Sequence, residues 1–177
     1  MTTDHDLGVR ILSGAPYKEC NHNMNFQLKK NKSNFVPLTP LSFLYRTKNI
    51  FPKRIAWIYR KRNATYYEFY IRCKSLALAL KNTKIKNRDV VSVMLPNVPE
   101  MIEAHFGVPM SGAILNSINT RLEKRSIEFI LKHSKSKILI FHEDYKDLVQ
   151  SLSKKLQVKY IIAVSYTHLT LPTIYSV

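Results

Sequence analysis

The chain has 177 residues, of which 45% are hydrophobic, so we expect a packed core, and the composition argues against an intrinsically disordered chain. The net charge of +16 raises nucleic acid or an anionic membrane as partners, but the basic residues are scattered and favour a solvated surface. No apolar run approaches about eighteen residues, so the sequence predicts no membrane span. Asp4 and Asp6 stand where a signal peptide carries positive charge, so we expect a cytoplasmic protein.

The first third of the chain predicts an arm, a short helix and a hairpin. Residues 1–34 are polar and irregular, which is typical of a surface arm. Thr39 is placed to cap a short helix that begins at Leu41 and ends near Asn49. The alternating residues 55–59, a polar turn and residues 64–66 then indicate a small hairpin.

A long helix follows the hairpin. Thr65 and Glu68 have the spacing of a capping box, in which the Thr hydroxyl and the Glu carboxylate each accept a backbone N–H of the other residue. Apolar residues then recur every three or four positions until the helix ends near Asn82. Cys73 lies on this apolar face, and we interpret it as a buried free thiol with no catalytic role.

From residue 90 onward, strands and helices alternate. The strands are predicted over 90–95, 113–118, 137–141 and 158–164, and the helices follow Asn97 and span 123–133 and 144–156. Asn97 is the expected N-cap of the first helix, with Pro99 in its first turn and with Glu100 and Glu103 favouring its positive end. This alternation predicts an α/β fold, a parallel sheet with covering helices whose ligand site lies beyond the carboxyl ends of the strands.

The composition changes at Ser165. The last thirteen residues carry no Lys, Arg, Asp or Glu and resemble peptides encoded by sequencing-adapter DNA. We therefore predict three parts, namely the arm 1–34, a partial domain 35–164 and a non-native tail 165–177. A genuine apolar tail or strand remains the alternative.

Three segments carry a resemblance to a known family. They are Asn34–Leu44, the run Ala64-Thr65-Tyr66-Tyr67-Glu68-Phe69, and Asp89–Leu122, which includes Gly-Ala-Ile-Leu-Asn-Ser-Ile-Asn-Thr-Arg-Leu. In this order and spacing the chain resembles the N-terminal part of the adenylate-forming, AMP-dependent acyl-CoA synthetases, over about residues 24–164. The resemblance implies the incomplete N-terminal subdomain of that fold. Within it, Gly107 and Gly112 are expected to permit close approach of helix and sheet.

The resemblance implies a reaction in two halves. A fatty or other small carboxylic acid attacks ATP to give acyl-AMP and pyrophosphate, and CoA then displaces AMP, with Mg²⁺ assisting. The family places its Gly-rich phosphate loop, its Mg²⁺ and ribose acids and its catalytic Lys further along the chain. The four glycines here, Gly8, Gly14, Gly107 and Gly112, build no such loop. We therefore expect an inactive N-terminal fragment that binds none of these molecules tightly.

The resemblance and the fold rule single out Asn119, Thr120 and Arg121. They follow a predicted strand, where such folds place ligands, and an Arg there suits the phosphates of a nucleotide or of CoA. The alternative is structural: Asn119 and Thr120 satisfy the turn and cap the next helix, while Arg121 pairs with Glu123 or with the domain surface. His105 is interpreted as a satisfied core or boundary histidine, and no catalytic residue and no metal ligand is assigned.

Two other functions stay open at this point. One is a stand-alone binding or structural protein that keeps the same half-fold, and the other is a basic nucleic-acid-binding domain, for which the sequence offers no aromatic platform or recognition helix. We expect a small-molecule carboxylic acid as the partner of the parent enzyme and no specific nucleic acid. Acyl-chain specificity and oligomeric state do not follow from these residues.

Overall fold

The computed structural model describes residue 31 and residues 35–153, 158, 160–164 and 173–176. The chain divides into two compact units, Met1–Pro37 and Leu38–Val177. In the first unit, the Phe35 N–H donates to the Asn31 carbonyl oxygen at 3.0 Å. The predicted arm 1–34 lies almost wholly outside the described residues and stays a prediction.

The second unit begins with a helix and a hairpin. Helix α1 spans Pro40–Ile50 and is capped by Thr39, as predicted. Strand β1 (Ile55–Tyr59) pairs antiparallel with β2 (Arg62–Thr65), and Arg60 in the turn between them has a left-handed φ of 54°. The short helix and the hairpin are thus confirmed.

Helix α2 spans Tyr66–Asn82 and starts at the predicted capping box. Thr65 Oγ1 accepts the Glu68 N–H at 3.3 Å, and Glu68 Oε2 accepts the Thr65 N–H at 2.8 Å. The buried face of the helix is formed by Phe69, Cys73, Ala77 and Leu80. The three- and four-residue spacing of these side chains is what the sequence pattern required.

A five-stranded sheet forms the centre of this unit, in the order β4-β3-β5-β6-β7. The strands are β3 (Val90–Met94), β4 (Ile114–Ser117), β5 (Ile138–His142), β6 (Tyr160–Val164) and β7 (Thr173–Ser176). The first four strands are parallel, and β7 runs antiparallel to β6. The expected α/β parallel sheet is confirmed.

Helices cover both faces of the sheet. Helix α3 spans Pro99–Met110, α4 spans Lys124–His133, and α5 spans Lys146–Ser153 after a 3-10 turn at Glu143–Tyr145. Because side chains alternate across a strand, Val91 and Val93 pack with Ala104 and Val108 of α3 on one face. Met94 packs on the opposite face, in the cluster that includes Ile127 of α4 and Leu152 of α5. Two cores therefore sandwich the sheet.

The start of α3 differs from the prediction. Its N-cap is Val98, which makes no side-chain cap hydrogen bond, so the prediction that Asn97 caps this helix is wrong. The Val98 N–H donates to the Pro96 carbonyl oxygen at 2.8 Å, and this turn places the first helical residue at Pro99. Pro99 does occupy the first turn, as its fixed φ favours.

The two glycines also act differently from the expected helix–sheet contact. A Cβ on Gly107 would lie 2.9 Å from the Cys73 carbonyl oxygen, so this glycine permits a close approach of α3 to α2. Gly112 has a φ of 89°, which L-residues rarely adopt, and its role is in the turn between α3 and β4.

Strand β7 lies within the segment predicted to be a non-native tail. Its pairing with β6 runs from Tyr160↔Ser176 to Ala163↔Thr173. Residues 165–172 and 177 are outside the described residues, and the origin of the tail stays a prediction. In the part of the chain that the structure describes, no helix has the length and apolarity that a membrane span requires.

Candidate functional site

The candidate residues lie in a turn at the carboxyl end of β4. The Ile118 N–H donates to the Val93 carbonyl oxygen at 2.9 Å, which continues the pairing of β4 with β3 one residue past the strand. The Ile118 side chain is 2% exposed and belongs to the core cluster under α4. Leu122, at the end of the turn, packs against the same cluster. Residues 119–121 are thus held between two apolar anchors at the edge where such folds bind ligands.

Asn119 closes this turn on itself. Its Oδ1 accepts the Arg121 N–H at 2.9 Å, and its carbonyl oxygen accepts the Leu122 N–H at 3.3 Å. This is the turn-forming role that short Asn side chains take. The turn-forming part of the structural expectation for Asn119 is therefore confirmed, and the part in which Asn119 caps the next helix is wrong, because the N-cap of α4 is Glu123.

Thr120 and Arg121 take the expected structural roles only in part. The N-cap of α4 is Glu123, which makes no side-chain cap hydrogen bond, so the prediction that Thr120 caps this helix is wrong. The ion pairs among the described residues join Arg62, Arg72, Lys132 and His142 to acids and do not include Arg121. The predicted Arg121–Glu123 pair is accordingly absent from the described part of the chain. Arg121 is exposed at the carboxyl edge of the sheet.

His142 lies at the same edge and was not singled out by the sequence. It ends β5, its side chain is 1% exposed, and its Nδ1 lies 3.1 Å from Asp144 Oδ2 and 3.3 Å from the Asp144 N. Since β3 separates β4 from β5, the ends of β4 and β5 are about 10 Å apart at the usual strand spacing. The signal available in the sequence was a titratable side chain placed directly after the apolar run 138–141.

A cluster of ion pairs joins the hairpin, α2 and α3. Arg62 Nη2 donates to Glu100 Oε1 at 2.8 Å, and Arg72 Nη2 donates to Glu103 Oε2 at 3.1 Å. Glu103 is 7% exposed, and this burial raises the pKa of its carboxyl against the opposing effect of Arg72. These groups connect structural elements, and we assign them no catalytic role.

Cys73 is a buried free cysteine, as the sequence indicated. Burial raises the pKa of its thiol to about 12, and the nearby Glu103 charge acts in the same direction. The thiol is therefore protonated at neutral pH, which is the state of a structural cysteine. His105 is satisfied, with Nδ1 2.8 Å from the Met101 carbonyl oxygen, but its side chain is exposed, so the expected core or boundary position is wrong.

The described residues offer no metal centre and no phosphate loop. Across residues 35–153 and the shorter described stretches, no three His, Cys, Asp or Glu side chains are grouped to hold a metal ion. Gly107 and Gly112 are the described glycines, and they serve a helix contact and a turn. The turn 119–122 therefore stays the candidate site, and Arg121 is an exposed cation within it.

Comparison with known proteins identifies the family. A sequence model of the family described as AMP-binding enzyme matches residues 44–172. The chain belongs to the AMP-binding enzyme family. The peroxisomal benzoate–CoA ligase of Arabidopsis thaliana is 42% identical over 144 residues, which are 81% of this chain and 24% of that enzyme. The peroxisomal trans-cinnamate:CoA ligase of Petunia hybrida is 40% identical over 149 residues, 84% of this chain and 26% of that enzyme.

A solved structure supports the same fold. The crystal structure of an anthranilate CoA ligase in complex with anthranoyl-AMP superposes with a TM-score of 0.70 at 23% identity, over 73% of this chain and 26% of that one. The chain thus spans about a quarter of the length of the relatives it matches. These matches favour neither a stand-alone binding or structural protein nor a nucleic-acid-binding domain.

Proposed function

We propose that this chain forms the first part of the adenylation domain of a carboxylate–CoA ligase. The observation that carries the proposal is the family match over residues 44–172, on a parallel sheet whose carboxyl edge presents the turn 119–122. In the complete enzyme, a carboxylate oxygen bonds to the α-phosphorus of ATP and pyrophosphate leaves. The CoA thiol sulfur then bonds to the acyl carbon and AMP leaves. ATP, CoA and Mg²⁺ belong to that complete enzyme.

These residues mainly provide a scaffold, and the turn 119–122 is their proposed contact surface for a ligand. The two apolar cores hold β3 and β4 side by side, so the turn after β4 has a fixed position. Arg121 carries a full charge and a planar guanidinium, which suits a phosphate group of a nucleotide or of CoA. Asn119 orients the turn through its bond to the Arg121 N–H. Thr120, half-buried beside them, completes the proposed contact set.

The test of this contact is a substitution in the complete product of the locus. Arg121→Ala is expected to raise KM for CoA or for ATP about tenfold, and to leave KM for the carboxylic acid within about twofold, since a charged hydrogen bond contributes about 1.5–3 kcal/mol. Arg125→Ala, which removes an exposed Arg from α4, is the matched control. Unchanged KM values for both nucleotides would assign Arg121 to the solvated surface.

The chain of 177 residues is itself proposed to be inactive. It lacks a glycine-rich phosphate loop, and its described residues group no acids for Mg²⁺. Binding of ATP or CoA to the isolated chain is accordingly expected to be weak. Isothermal titration of the chain with ATP, Mg²⁺ and CoA tests this, and a dissociation constant below about 10 μM for any of them contradicts it.

The proposed substrate class is a small carboxylic acid, fatty or medium-chain. Relatives carry the names of benzoate and trans-cinnamate ligases, so aromatic acids belong in the same assay. Mass spectrometry of the acyl-CoA products formed by the complete enzyme from octanoate, benzoate and cinnamate decides between aliphatic and aromatic classes. An octanoyl-CoA product in excess supports the proposal, and benzoyl- or cinnamoyl-CoA in excess overturns the aliphatic choice.

The proposed compartment is the cytosol. The two relatives above are named as peroxisomal, so the peroxisome is the alternative compartment to test. A fluorescent fusion of the complete product, imaged beside a peroxisomal marker, gives the answer. Diffuse fluorescence supports the proposal, and overlap with the marker contradicts it.

A further inference from the structure

A cavity of about 400 Å³ opens at the amino-terminal edge of the sheet, opposite the turn 119–122. Its size is within the range of about 300–1,000 Å³ that is common for small-molecule sites. The loop before β3 and the residues that start β5 surround it, and Ile85 and Ile138 form its apolar part. This edge is distinct from the carboxyl edge on which the proposed ligase function depends.

The polar lining of this cavity is mainly cationic. Lys84, Lys86 and Lys137 line it together with a single acid, Asp89. Asp89 Oδ2 accepts the Lys86 N–H at 2.8 Å, so part of that carboxylate is already occupied by the loop backbone. In the sequence these lysines look like scattered surface charge, because Lys137 lies 51 positions after Lys86. The fold brings them to one concavity.

Nearby helix ends do not cancel this charge. Helices α2, α3 and α4 all end close to this edge, and each carboxyl terminus carries about half an elementary negative charge. Three ammonium groups still exceed one carboxylate and three helix ends. Lys81 in the last turn of α2, and Arg88 and Lys135 in the loops, add further positive charge. The cavity is therefore suited to an anion.

The backbone that carries these lysines is fixed to the sheet. The Lys137 N–H donates to the Val90 carbonyl oxygen at 2.8 Å, and the Ile114 N–H donates to the Asp89 carbonyl oxygen at 2.8 Å. Lys84 itself has a left-handed φ of 60°, which sets the direction of the chain as it leaves α2. The lysines thus extend from a rigid rim, which lowers the entropy lost when they close on a ligand.

We propose that this cavity binds a small phosphate-bearing anion through Lys84, Lys86 and Lys137. The lining has no aromatic side chain on which a nucleobase could stack, so the recognised chemistry is the phosphate group. The Thr83 hydroxyl donates to the Leu80 carbonyl oxygen at 2.6 Å, so the lysine ammoniums are the donors that meet the anion. This proposal is independent of the proposed ligase function, so a failure of one leaves the other unaffected.

The test uses pyrophosphate and inorganic phosphate as probes of the 177-residue chain at low ionic strength. Isothermal titration is expected to give saturable binding of pyrophosphate with a dissociation constant below about 1 mM, and weaker binding of inorganic phosphate. The triple variant Lys84→Gln, Lys86→Gln, Lys137→Gln is expected to weaken pyrophosphate binding at least about tenfold. Its matched control replaces the exposed lysines Lys53, Lys74 and Lys124 by Gln, and is expected to change affinity less than about twofold.

Three results overturn the proposal. The first is an absence of saturable pyrophosphate binding by the parent chain. The second is an equal loss of pyrophosphate affinity in the two triple variants. The third is tight binding of a single-stranded oligonucleotide whose affinity falls equally in both triple variants. The last two would indicate diffuse charge attraction instead of a site. Coincident thermal unfolding midpoints of the three proteins, measured by circular dichroism, verify that the comparison is between folded chains. If the site triple fails this check, backbone chemical-shift changes of the parent chain on titration decide, because the proposal requires them to centre on residues 83–89 and 137–138.

Discussion

Arg72 of α2 and Glu103 of α3 form a paired contact, in which Nε and Nη2 of the guanidinium donate to the two carboxylate oxygens. Glu103 is 7% exposed, while 29% of the Arg72 side chain is exposed. Arg72 Nη2 also lies 3.7 Å from Glu100 Oε1, and Glu100 accepts from Arg62 of the hairpin. Because Glu103 is buried on the helix that covers the sheet, loss of its partner Arg72 would leave a buried carboxylate unpaired between α2 and α3.

Removal of Arg72 should destabilise the chain. Arg72→Ala leaves the Glu103 carboxylate buried without its partner, a change that costs about 3–5 kcal/mol in buried pairs. Because Arg72 is partly exposed, we expect about 2–3 kcal/mol in urea unfolding at pH 7. Lys74→Ala, which removes an exposed cation from the same helix, should change the free energy of unfolding by less than about 0.5 kcal/mol. Equal stability of the two variants would contradict a structural role for the pair.

The pH dependence of stability should report the burial of Glu103. Burial raises the pKa of this carboxyl in the folded state, so the stability that Glu103 contributes is complete below its unfolded pKa of 4.5 and is lost as the pH rises through its folded pKa. The difference in unfolding free energy between the parent chain and Glu103→Gln should therefore decline from pH 4 towards neutral pH. Urea titrations at half-unit intervals measure this, and a difference that grows with pH would show that Arg72 outweighs burial.

Gly107 should be intolerant of a methyl group. A Cβ at this position would lie 2.9 Å from the Cys73 carbonyl oxygen and 2.9 Å from Leu76 Cδ2. Leu76 can rotate, but the carbonyl oxygen belongs to the backbone of α2, so Gly107→Ala should separate the helices and cost about 1–3 kcal/mol. Ser75→Ala on the exposed side of α2 is the control, expected within about 0.5 kcal/mol of the parent. A Gly107→Ala melting temperature equal to that of the control is inconsistent with this close approach.

The capping box of α2 should contribute measurable stability. Thr65→Ala removes the acceptor of the Glu68 N–H and should cost about 1 kcal/mol. The hydrogen bonds from the Thr65 backbone and hydroxyl lower the pKa of Glu68, so its contribution is present above pH 4.5 and is lost as the pH falls through the folded pKa.

Thermal unfolding of Glu68→Gln at pH 7 and at pH 3 tests the second half of this prediction. The variant should have a lower melting temperature than the parent chain at pH 7, and this difference in melting temperature (the gap) should become smaller at pH 3. Glu123→Gln provides the comparison, since Glu123 caps α4 without a side-chain hydrogen bond and should give a smaller gap at both pH values. A Glu68→Gln gap that is the same at both pH values would argue against the carboxylate bond.

The features that the sequence predicted well are local ones. The Thr65–Glu68 box and the strands of the sheet depend on residue types within a few positions of one another, so the pattern alone was sufficient. Asn97 shows where a local rule failed, since a Pro96–Val98 turn moved the helix start by one residue. The family's order of segments supplied what local rules did not, namely the position of the turn after β4.

The features that the sequence missed depend on contacts distant in the chain. Glu103 looked like a favourable charge near a helix start, but its partner Arg72 lies 31 positions away on another helix. The cavity is lined by Lys84, Lys86 and Lys137. These lysines meet because β3 and β5 are parallel neighbours in the sheet. No spacing rule within one element connects such residues, because the strand order of the sheet determines which loops meet.

The central claim is tested most directly by pyrophosphate release from ATP. The complete enzyme to which this chain is proposed to belong and the 177-residue chain are assayed side by side with ATP, Mg²⁺, CoA and a carboxylic acid panel. We expect acid-dependent release by the complete enzyme and none above background by the 177-residue chain. Acid-dependent release by the chain alone, or its absence from a folded complete enzyme across the panel, would contradict the proposed function.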